Sequence, residues 1–195
     1  MKRVFGILVC FMLLLSGTSV SFAQSEKTKQ EKTEETTPKL AEQASSAIVI
    51  EQDTGKVLFD KNPNEKLPPA SMTKIMTMLL IMEQVEKGKL KLTDKVRASE
   101  HAASMGGSQI FLEPGEEMTV NEMLKGIAIA SGNDASVAVA EHIAGSEEGF
   151  VNMMNKKAKD LGLKNTHFQN PTGLPAKDHY STANDMAIMA KELMK

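Results

Sequence analysis

A serine and a lysine separated by two residues, Ser71 and Lys74, stand directly before an apolar run at 75–82. Positions i and i+3 share one face of a helix, so the Ser71 hydroxyl and the Lys74 amine can meet there. A helix that is apolar all round is a buried helix. The sequence therefore predicts a central helix from Ser71 to about Lys87, ended by Gly88, with two polar groups on its first turn. Polar groups are out of place at the head of a buried helix unless they react.

The surroundings predicted for Lys74 give this pair a chemical role. On spacing alone, an N-cap serine beside a solvated lysine would be the favoured interpretation, but a solvated lysine is hard to place before the apolar run. Partial burial and the positive end of the helix dipole should both lower the pKa of the amine. A lysine of that kind accepts a proton near neutral pH, so Lys74 can act as general base and Ser71 as the nucleophile it activates.

A second polar turn, Ser131-Gly132-Asn133, follows later in the chain. By itself it indicates only a helix-breaking turn, since Ser, Gly and Asn all favour turns. Combined with the first pair, it supplies the Ser131 hydroxyl for proton relay and the Asn133 amide for holding a substrate carbonyl. The order Ser-x-x-Lys and then Ser-x-Asn is typical of penicillin-binding proteins and class A β-lactamases.

Other candidate sites are weaker. The four histidines show no metal-ligand spacing among themselves or with carboxylates, and we expect surface or helix-face positions for all of them: His101, His142, His167 and His179. We expect no metal and no cofactor. A Ser-His-Asp triad stays open by residue count, although the sequence has no Gly-x-Ser-x-Gly elbow. The formal net charge of −2, without a basic block, gives no indication of nucleic-acid binding.

The elements that must position these residues are predicted from local patterns. Two β-prone runs at 47–51 and 56–60 flank Asp53-Thr54-Gly55, which predicts a hairpin with Gly55 at positive φ. Thr119 and Glu122 form a capping box at the start of a helix that breaks at Ser131. Further helices are predicted at 135–143, at 147–161 and from 182 onward, with an irregular segment at 165–180. The pattern indicates one α+β domain, mostly helical.

The first 23 residues are predicted to be a secretory signal peptide. Lys2-Arg3 precede an apolar segment at 4–15, and Ser21-Phe22-Ala23 fits a cleavage site. Cys10, the only cysteine, lies inside this segment, so the exported chain would have neither a disulfide nor a catalytic thiol. Residues 24–44 are rich in Lys, Glu, Thr and Gln and are predicted to be a flexible charged tether.

Taken together, these residues resemble the serine D-alanyl-D-alanine carboxypeptidases, the low-molecular-weight penicillin-binding proteins. The sequence is especially similar to the sporulation-associated carboxypeptidases of Bacillus-type bacteria. The resemblance covers a partial catalytic domain, 45–195. It rests on five segments in this order: 69–74, 111–116, 131–135, 161–166 and 179–183.

The resemblance implies a role for each motif residue. Ser71 would be the acyl-enzyme nucleophile, and its backbone N–H would form half of the oxyanion hole. Lys74 would be the general base, Ser131 the proton relay and Asn133 a substrate-binding amide. The implied substrate is a peptidoglycan stem peptide ending in D-Ala-D-Ala, from which the terminal D-Ala is removed during cell-wall biosynthesis and remodelling. β-Lactams are implied as covalent inhibitors that trap Ser71.

One family element, a Lys-Thr-Gly strand, is absent from the sequence, and by family spacing it is expected beyond Lys195. We therefore expect a truncated penicillin-binding-protein/β-lactamase-like transpeptidase fold with an N-terminal hairpin, a buried core helix and a mostly helical part, lacking the C-terminal sheet strands. Membrane association is expected only through a C-terminal segment beyond that residue. Two alternatives stay open: a non-hydrolytic protein that binds a cell-wall peptide or a partner, and, less favoured because Gly132 replaces an Asp, a β-lactamase.

Overall fold

The computed structural model describes residues 40–195, so the predicted signal peptide at 1–23 and most of the predicted tether at 24–44 lie outside the described residues. Within the described part the chain forms four strands and six α-helices. The strands are β1 (Ala47–Ile50), β2 (Val57–Lys61), β3 (Lys95–Arg97) and β4 (Glu117–Thr119). The helices are α1 (Lys74–Glu86), α2 (Glu100–Ala103), α3 (Val120–Ala130), α4 (Asn133–Ala144), α5 (Glu147–Asp160) and α6 (Ala183–Leu193). This combination of helices and strands confirms the predicted α+β class.

The strands form two separate antiparallel pairs, β1 with β2 and β3 with β4. In the first pair Ala47 lies opposite Lys61, and Gly55 in the connecting loop has a φ of +74°. The predicted hairpin and its glycine turn are therefore confirmed. The hairpin packs against α6, whose Lys191 ammonium donates a hydrogen bond of 3.1 Å to the Asp53 carbonyl.

The start of α1 differs from the prediction. Residues Ala70–Thr73 form a 3₁₀ turn, α1 proper begins at Lys74, and Ser71 makes no capping bond. Ala70, the first residue of this turn, has a φ of +48°, and 3₁₀ turns are frequent at the N-termini of α-helices. The other end is as predicted, with Lys87 as C-cap and Gly88 at a φ of +67°.

Two hydrophobic cores lie against α1. Ile81 belongs to the core shared with β3, α3 and part of α4, whereas Met76, Leu79 and Leu80 belong to the core shared with α5 and α6. The prediction of a helix buried all round is wrong in part, because Met82 on the same helix is 41% exposed. Helix α1 nevertheless contributes buried residues to both cores, as the prediction of a central helix requires.

The turn between α3 and α4 carries the second motif. The predicted capping box is present, with the Thr119 hydroxyl accepting from the Glu122 N–H and the Glu122 carboxylate accepting from the Thr119 N–H. Helix α4 begins at Asn133, two residues earlier than predicted, and the Asn133 N–H, which has no partner within the helix, donates to the Ser108 carbonyl. Ser131 ends α3 in the left-handed region, with a φ of +56°.

The segment between α5 and α6 is irregular, as predicted. An isolated antiparallel bridge between Leu67 and Ser181 holds it beside the chain that leads into α1, and a second bridge, between His167 and Tyr180, joins two parts of the segment itself. Across residues 40–195, no helix has both the length and the apolar character needed to cross a membrane.

Candidate active site

The Lys74 ammonium lies 3.3 Å from the Ser71 hydroxyl oxygen, which confirms the predicted contact. The two side chains differ in their surroundings, because Ser71 is exposed whereas Lys74 is only 3% exposed. A potential nucleophile therefore faces solvent while its potential base lies buried behind it. Their roles stay predictions.

Burial lowers the pKa of Lys74 from its ordinary value of 10.5 to about 8. The cause is desolvation, which disfavours the charged form of an amine. This confirms the lowered pKa expected from the sequence. An amine of this kind has a useful neutral fraction near physiological pH, which a general base requires.

Lys74 has a second partner that sequence reasoning missed. Its ammonium donates a hydrogen bond of 2.7 Å to the Thr172 carbonyl, and the Thr77 hydroxyl donates one of 2.7 Å to the Pro171 carbonyl. Both carbonyls belong to a tight turn at Asn170–Gly173, here called the 170–173 loop. The signal for it was present in the sequence, because Asn-Pro-Thr-Gly is composed of turn-forming residues. Nothing local in the sequence connects this turn to Lys74.

Asn170 shapes this loop. Its side-chain oxygen accepts hydrogen bonds from the Thr172 N–H, the Thr172 hydroxyl and the Gly173 N–H, at 3.2, 2.9 and 2.7 Å. Three donors on one oxygen fix the direction of the Thr172 carbonyl, which points at Lys74. The 170–173 loop is thus held in shape by its own hydrogen bonds as well as by its contact with Lys74.

Gly173 brings the loop into contact with the turn that carries Ser71. It has a φ of +85°, and a Cβ at this position would lie 1.8 Å from the Ala70 carbonyl oxygen. Only glycine permits this approach of two backbones. The approach places the loop against the residue before the candidate nucleophile.

Ser131 and Asn133 lie on the other side of the site. Asn133 is 4% exposed, and its amide donates a hydrogen bond of 2.7 Å to the Gly106 carbonyl. Ser131 is half-buried, and among the hydrogen bonds of residues 40–195 none joins it to Ser71 or Lys74. Proton relay by Ser131 and substrate binding by Asn133 stay predictions.

A glycine loop at 104–109 connects the two sides. A Cβ at Gly107 would lie 2.8 Å from the Asn133 amide nitrogen and 3.7 Å from a Leu174 methyl carbon. Leu174 directly follows the 170–173 loop, so the Asn133 amide and that loop border the same glycine. The structure thereby brings the Ser71-Lys74 and Ser131-Asn133 motifs to one region.

Asp134 anchors the far end of this glycine loop, a function that sequence reasoning also missed. Its carboxylate is fully buried and accepts hydrogen bonds from the Ile110 and Leu112 backbone N–H groups at 3.0 and 3.1 Å. A buried carboxylate needs such donors to be stable. Asp134 therefore positions the chain that passes over Asn133.

The histidines follow the prediction only in part. His101 and His142 are exposed as predicted, but His179 is only 7% exposed, so the surface position expected for it is wrong. The Thr73 hydroxyl, 2.9 Å from His179 Nε2, explains how a histidine is accommodated there. In the part of the chain that the structure describes, no group of three or more potential metal-ligating side chains occurs.

The sequence model of the peptidase S11 family, described as D-alanyl-D-alanine carboxypeptidase, matches residues 30–195. The chain belongs to this family. The S11 chain is 68% identical over its whole length to the D-alanyl-D-alanine carboxypeptidase DacF of Bacillus subtilis (strain 168), of which it covers 48%. It is 45% identical over 157 residues to DacC of Escherichia coli (strain K12), with 77% of the S11 chain and 39% of DacC covered. The S11 chain thus spans about half or less of the length of these curated relatives.

Solved structures of S11 relatives share the fold. The crystal structure of the D-alanyl-D-alanine carboxypeptidase DacD from Francisella tularensis has a TM-score of 0.75 at 39% identity, over 76% of the S11 chain and 36% of the other. Penicillin binding protein 5 from Haemophilus influenzae has a TM-score of 0.75 at 37% identity, over 77% of the S11 chain and 45% of the other. The predicted penicillin-binding-protein-like fold is confirmed.

Proposed function

We propose that this chain carries the nucleophile and the general base of a serine-type D-alanyl-D-alanine carboxypeptidase that acts on peptidoglycan stem peptides. The observation that carries the proposal is the exposed Ser71 hydroxyl 3.3 Å from a buried Lys74 amine whose pKa is lowered to about 8. Membership of the S11 family and similarity to D-alanyl-D-alanine carboxypeptidases support the substrate class. The reaction requires no cofactor.

In the proposed mechanism, neutral Lys74 takes the proton of the Ser71 hydroxyl as its oxygen attacks the carbonyl carbon of the penultimate D-Ala. The Ser71 N–H donates to the oxygen that becomes negative. Ser131 relays the proton to the nitrogen of the terminal D-Ala, the peptide C–N bond breaks, and D-Ala leaves. Water then attacks the acyl ester, which releases the shortened peptide and restores the Ser71 hydroxyl. Asn133 holds the substrate carbonyl in place.

A β-lactam offers the same chemistry to the site. Its strained amide carbonyl would be attacked by Ser71, the ring C–N bond would open, and the acyl group would stay attached because the leaving nitrogen remains tethered. Similarity to a penicillin binding protein of Haemophilus influenzae supports this proposal. Trapping by β-lactams supplies a direct assay for the nucleophile.

The test is labelling with a fluorescent penicillin, followed by mass spectrometry of the modified peptide. We expect a single adduct on Ser71, and Ser71→Ala should abolish it. Ser104→Ala, in the exposed glycine loop, is a matched control that should label normally. Equal labelling of Ser71→Ala and the unaltered chain would overturn the assignment.

Release of D-Ala from a stem peptide separates hydrolysis from the non-hydrolytic alternative. We expect turnover by a protein that carries these residues, measured as free D-Ala. Tight peptide binding without D-Ala release would support the binding-protein alternative. Rapid, repeated hydrolysis of penicillin would instead indicate a β-lactamase.

We also propose that the protein is exported and acts at the outer face of the cytoplasmic membrane, with a role in sporulation. The composition of residues 1–23 supports export, and the resemblance to sporulation-associated carboxypeptidases supports the role. Sequencing the N-terminus of the protein secreted by a Bacillus-type host tests the export proposal. We expect it to begin at Gln24, and a cytoplasmic protein that retains Met1 would contradict it.

A further inference from the structure

His179 lies between the two segments that surround Lys74, and the proposed mechanism does not use it. Its Nε2 atom is 2.9 Å from the Thr73 hydroxyl, and its Nδ1 atom accepts a hydrogen bond of 3.2 Å from the Gln169 N–H. The ring packs edge-on against Phe168, with ring centroids 5.8 Å apart. A buried histidine with both ring nitrogens hydrogen-bonded therefore links Thr73, at the end of the 3₁₀ turn, to Gln169, directly before the 170–173 loop.

The two bonds define the state of the ring. A backbone N–H can only donate, so Nδ1 must be an acceptor and cannot carry a proton. The neutral ring then carries its proton on Nε2 and donates it to the Thr73 hydroxyl. Burial lowers the pKa of His179, and nearby His167 lowers it further, so the neutral form is favoured at neutral pH.

The two bonded residues are the ones that matter for Lys74. Thr73 is the residue before Lys74, and it is fully buried in the turn that carries Ser71. Gln169 directly precedes Asn170, whose side chain orders the Thr172 carbonyl that receives the Lys74 ammonium. One imidazole ring thus bonds both to the residue before Lys74 and to the residue before the 170–173 loop, whose Thr172 carbonyl accepts from Lys74.

We propose that His179 is a positioning residue for acylation, because it clamps the Ser71-Lys74 turn to the 170–173 loop and thereby keeps Lys74 desolvated. The inference rests on the proposed function, in which neutral Lys74 is the base. Loss of the clamp should let water reach the amine. Since desolvation is the cause of the lowered pKa, that pKa should then rise.

The test replaces His179 with residues that keep one, the other or neither bond. Asn places an amide oxygen near the position of Nδ1 and keeps the Gln169 bond, whereas Gln reaches the position of Nε2 and keeps the Thr73 bond. Phe keeps only the ring. We expect His179→Phe to raise the pKa of Lys74 by about one unit and to slow penicillin acylation at pH 7 about tenfold, because one unit changes the neutral fraction tenfold. The Asn and Gln variants should lie between Phe and the unaltered chain.

A cycle with Thr73→Val tests the link itself. Thr73→Val and His179→Asn remove the same bond, so the double variant should acylate no more slowly than either single one. Thr73→Val added to His179→Gln should slow acylation further. Additive losses in the first pair would overturn the link. His142→Gln, at an exposed histidine of α4, is the control and should change nothing.

Two readouts keep this inference distinct from the proposed function. The pKa of Lys74 is measured by NMR of lysine labelled with ¹³C at Cε, and it needs no substrate. If the unaltered chain fails to bind penicillin, the proposed function fails. The Lys74 titration still decides whether His179 keeps the amine desolvated. A folded His179→Phe variant with an unchanged Lys74 pKa would overturn the positioning role, whatever its reactivity.

Discussion

At the scale of single residues, the candidate nucleophile is exposed to solvent, whereas the candidate base is buried. Ser71 reaches solvent, where a substrate can approach, and Lys74 is almost fully buried behind it. Burial gives the amine its low pKa, and the Thr172 carbonyl gives its ammonium form a partner. A surface lysine at the same spacing would stay charged at neutral pH and could not accept a proton. The depth of Lys74, more than its spacing from Ser71, lowers the pKa of the amine to the range that the proposed general base requires.

The first prediction concerns pH. Lys74 must be neutral to act as base, so the rate of Ser71 acylation should rise about tenfold for each pH unit below about 8 and level off above it. The measurement is stopped-flow labelling with a fluorescent penicillin between pH 6 and 10. Lys74→Arg stays protonated throughout, so it should lose this limb and react about 10² to 10⁴ times more slowly. A rate that does not change between pH 6 and 8 would exclude Lys74 as the base.

A second prediction at this scale concerns Ser131, which has a φ of +56°. The left-handed region costs a residue with a Cβ about 1 kcal/mol and costs glycine much less. Ser131→Gly should therefore have a urea unfolding midpoint at least as high as that of the unaltered chain. Its rate of acylation should fall about a hundredfold, because the relay hydroxyl is lost. Ser131→Ala loses the same hydroxyl, keeps the backbone strain and should be the less stable variant. Normal acylation in both variants would remove Ser131 from the mechanism.

At the scale of elements, the sequence predicted the turns, caps and helix ends that neighbouring residues determine. The hairpin around Gly55, the capping box at Thr119 and the end of α1 at Gly88 are encoded by neighbouring residues, and all three are present. The 170–173 loop was predicted only as irregular chain. Its function depends on Lys74, which is nearly a hundred residues away in sequence, so no local pattern could reveal it.

The approach of the 170–173 loop to the Ser71 turn gives the third prediction. Gly173→Ala places a Cβ 1.8 Å from the Ala70 oxygen at a φ of +85°. We expect a loss of at least about 3 kcal/mol in unfolding free energy, from backbone strain and overlap together. Gly162→Ala is the matched control, since Gly162 has a φ of +73° with no atom within 4 Å of the added carbon, and it should lose only about 1–2 kcal/mol. Equal losses in urea denaturation would show that the close approach is unimportant.

The fourth prediction concerns the chain over Asn133. In Asp134→Asn an NH₂ group would face backbone N–H groups that now donate to both carboxylate oxygens. We expect a loss of about 1–3 kcal/mol in stability, the cost of buried donors without acceptors. Residues 104–112 should also become more accessible to protease. Asp94→Asn, in an exposed turn near β3, is the comparison and should leave cleavage of this segment unchanged.

At the scale of the whole molecule, the candidate site lies where the two cores meet. Helix α1 contributes Ile81 to one core and Met76 to the other, and α4 divides between Val137 and Ala140 in the same way. The motifs stand at the N-terminal ends of these two shared helices. Each helix is therefore fixed from two sides, so the distance between the motifs depends on the packing of both cores. The sequence predicted the two helices and their motifs but not the division of the core, because apolar periodicity does not reveal which partners a face will meet.

The last prediction concerns the hairpin surface, where Leu58 is 60% exposed and Val57 on the same strand is 46% exposed. Among the described strands, β1 and β2 pair only with each other, so each leaves an edge that can pair with a second copy of this chain. We expect concentration-dependent association, measured by light scattering coupled to size-exclusion chromatography, and Leu58→Lys should reduce it because a charge on an edge strand opposes such pairing. Ile129→Lys is the matched control: Ile129 is 84% exposed but lies on α3, whose backbone groups are already paired within the helix. A monomer at all concentrations, or an equal effect of both substitutions, would show that the hairpin edge does not drive association.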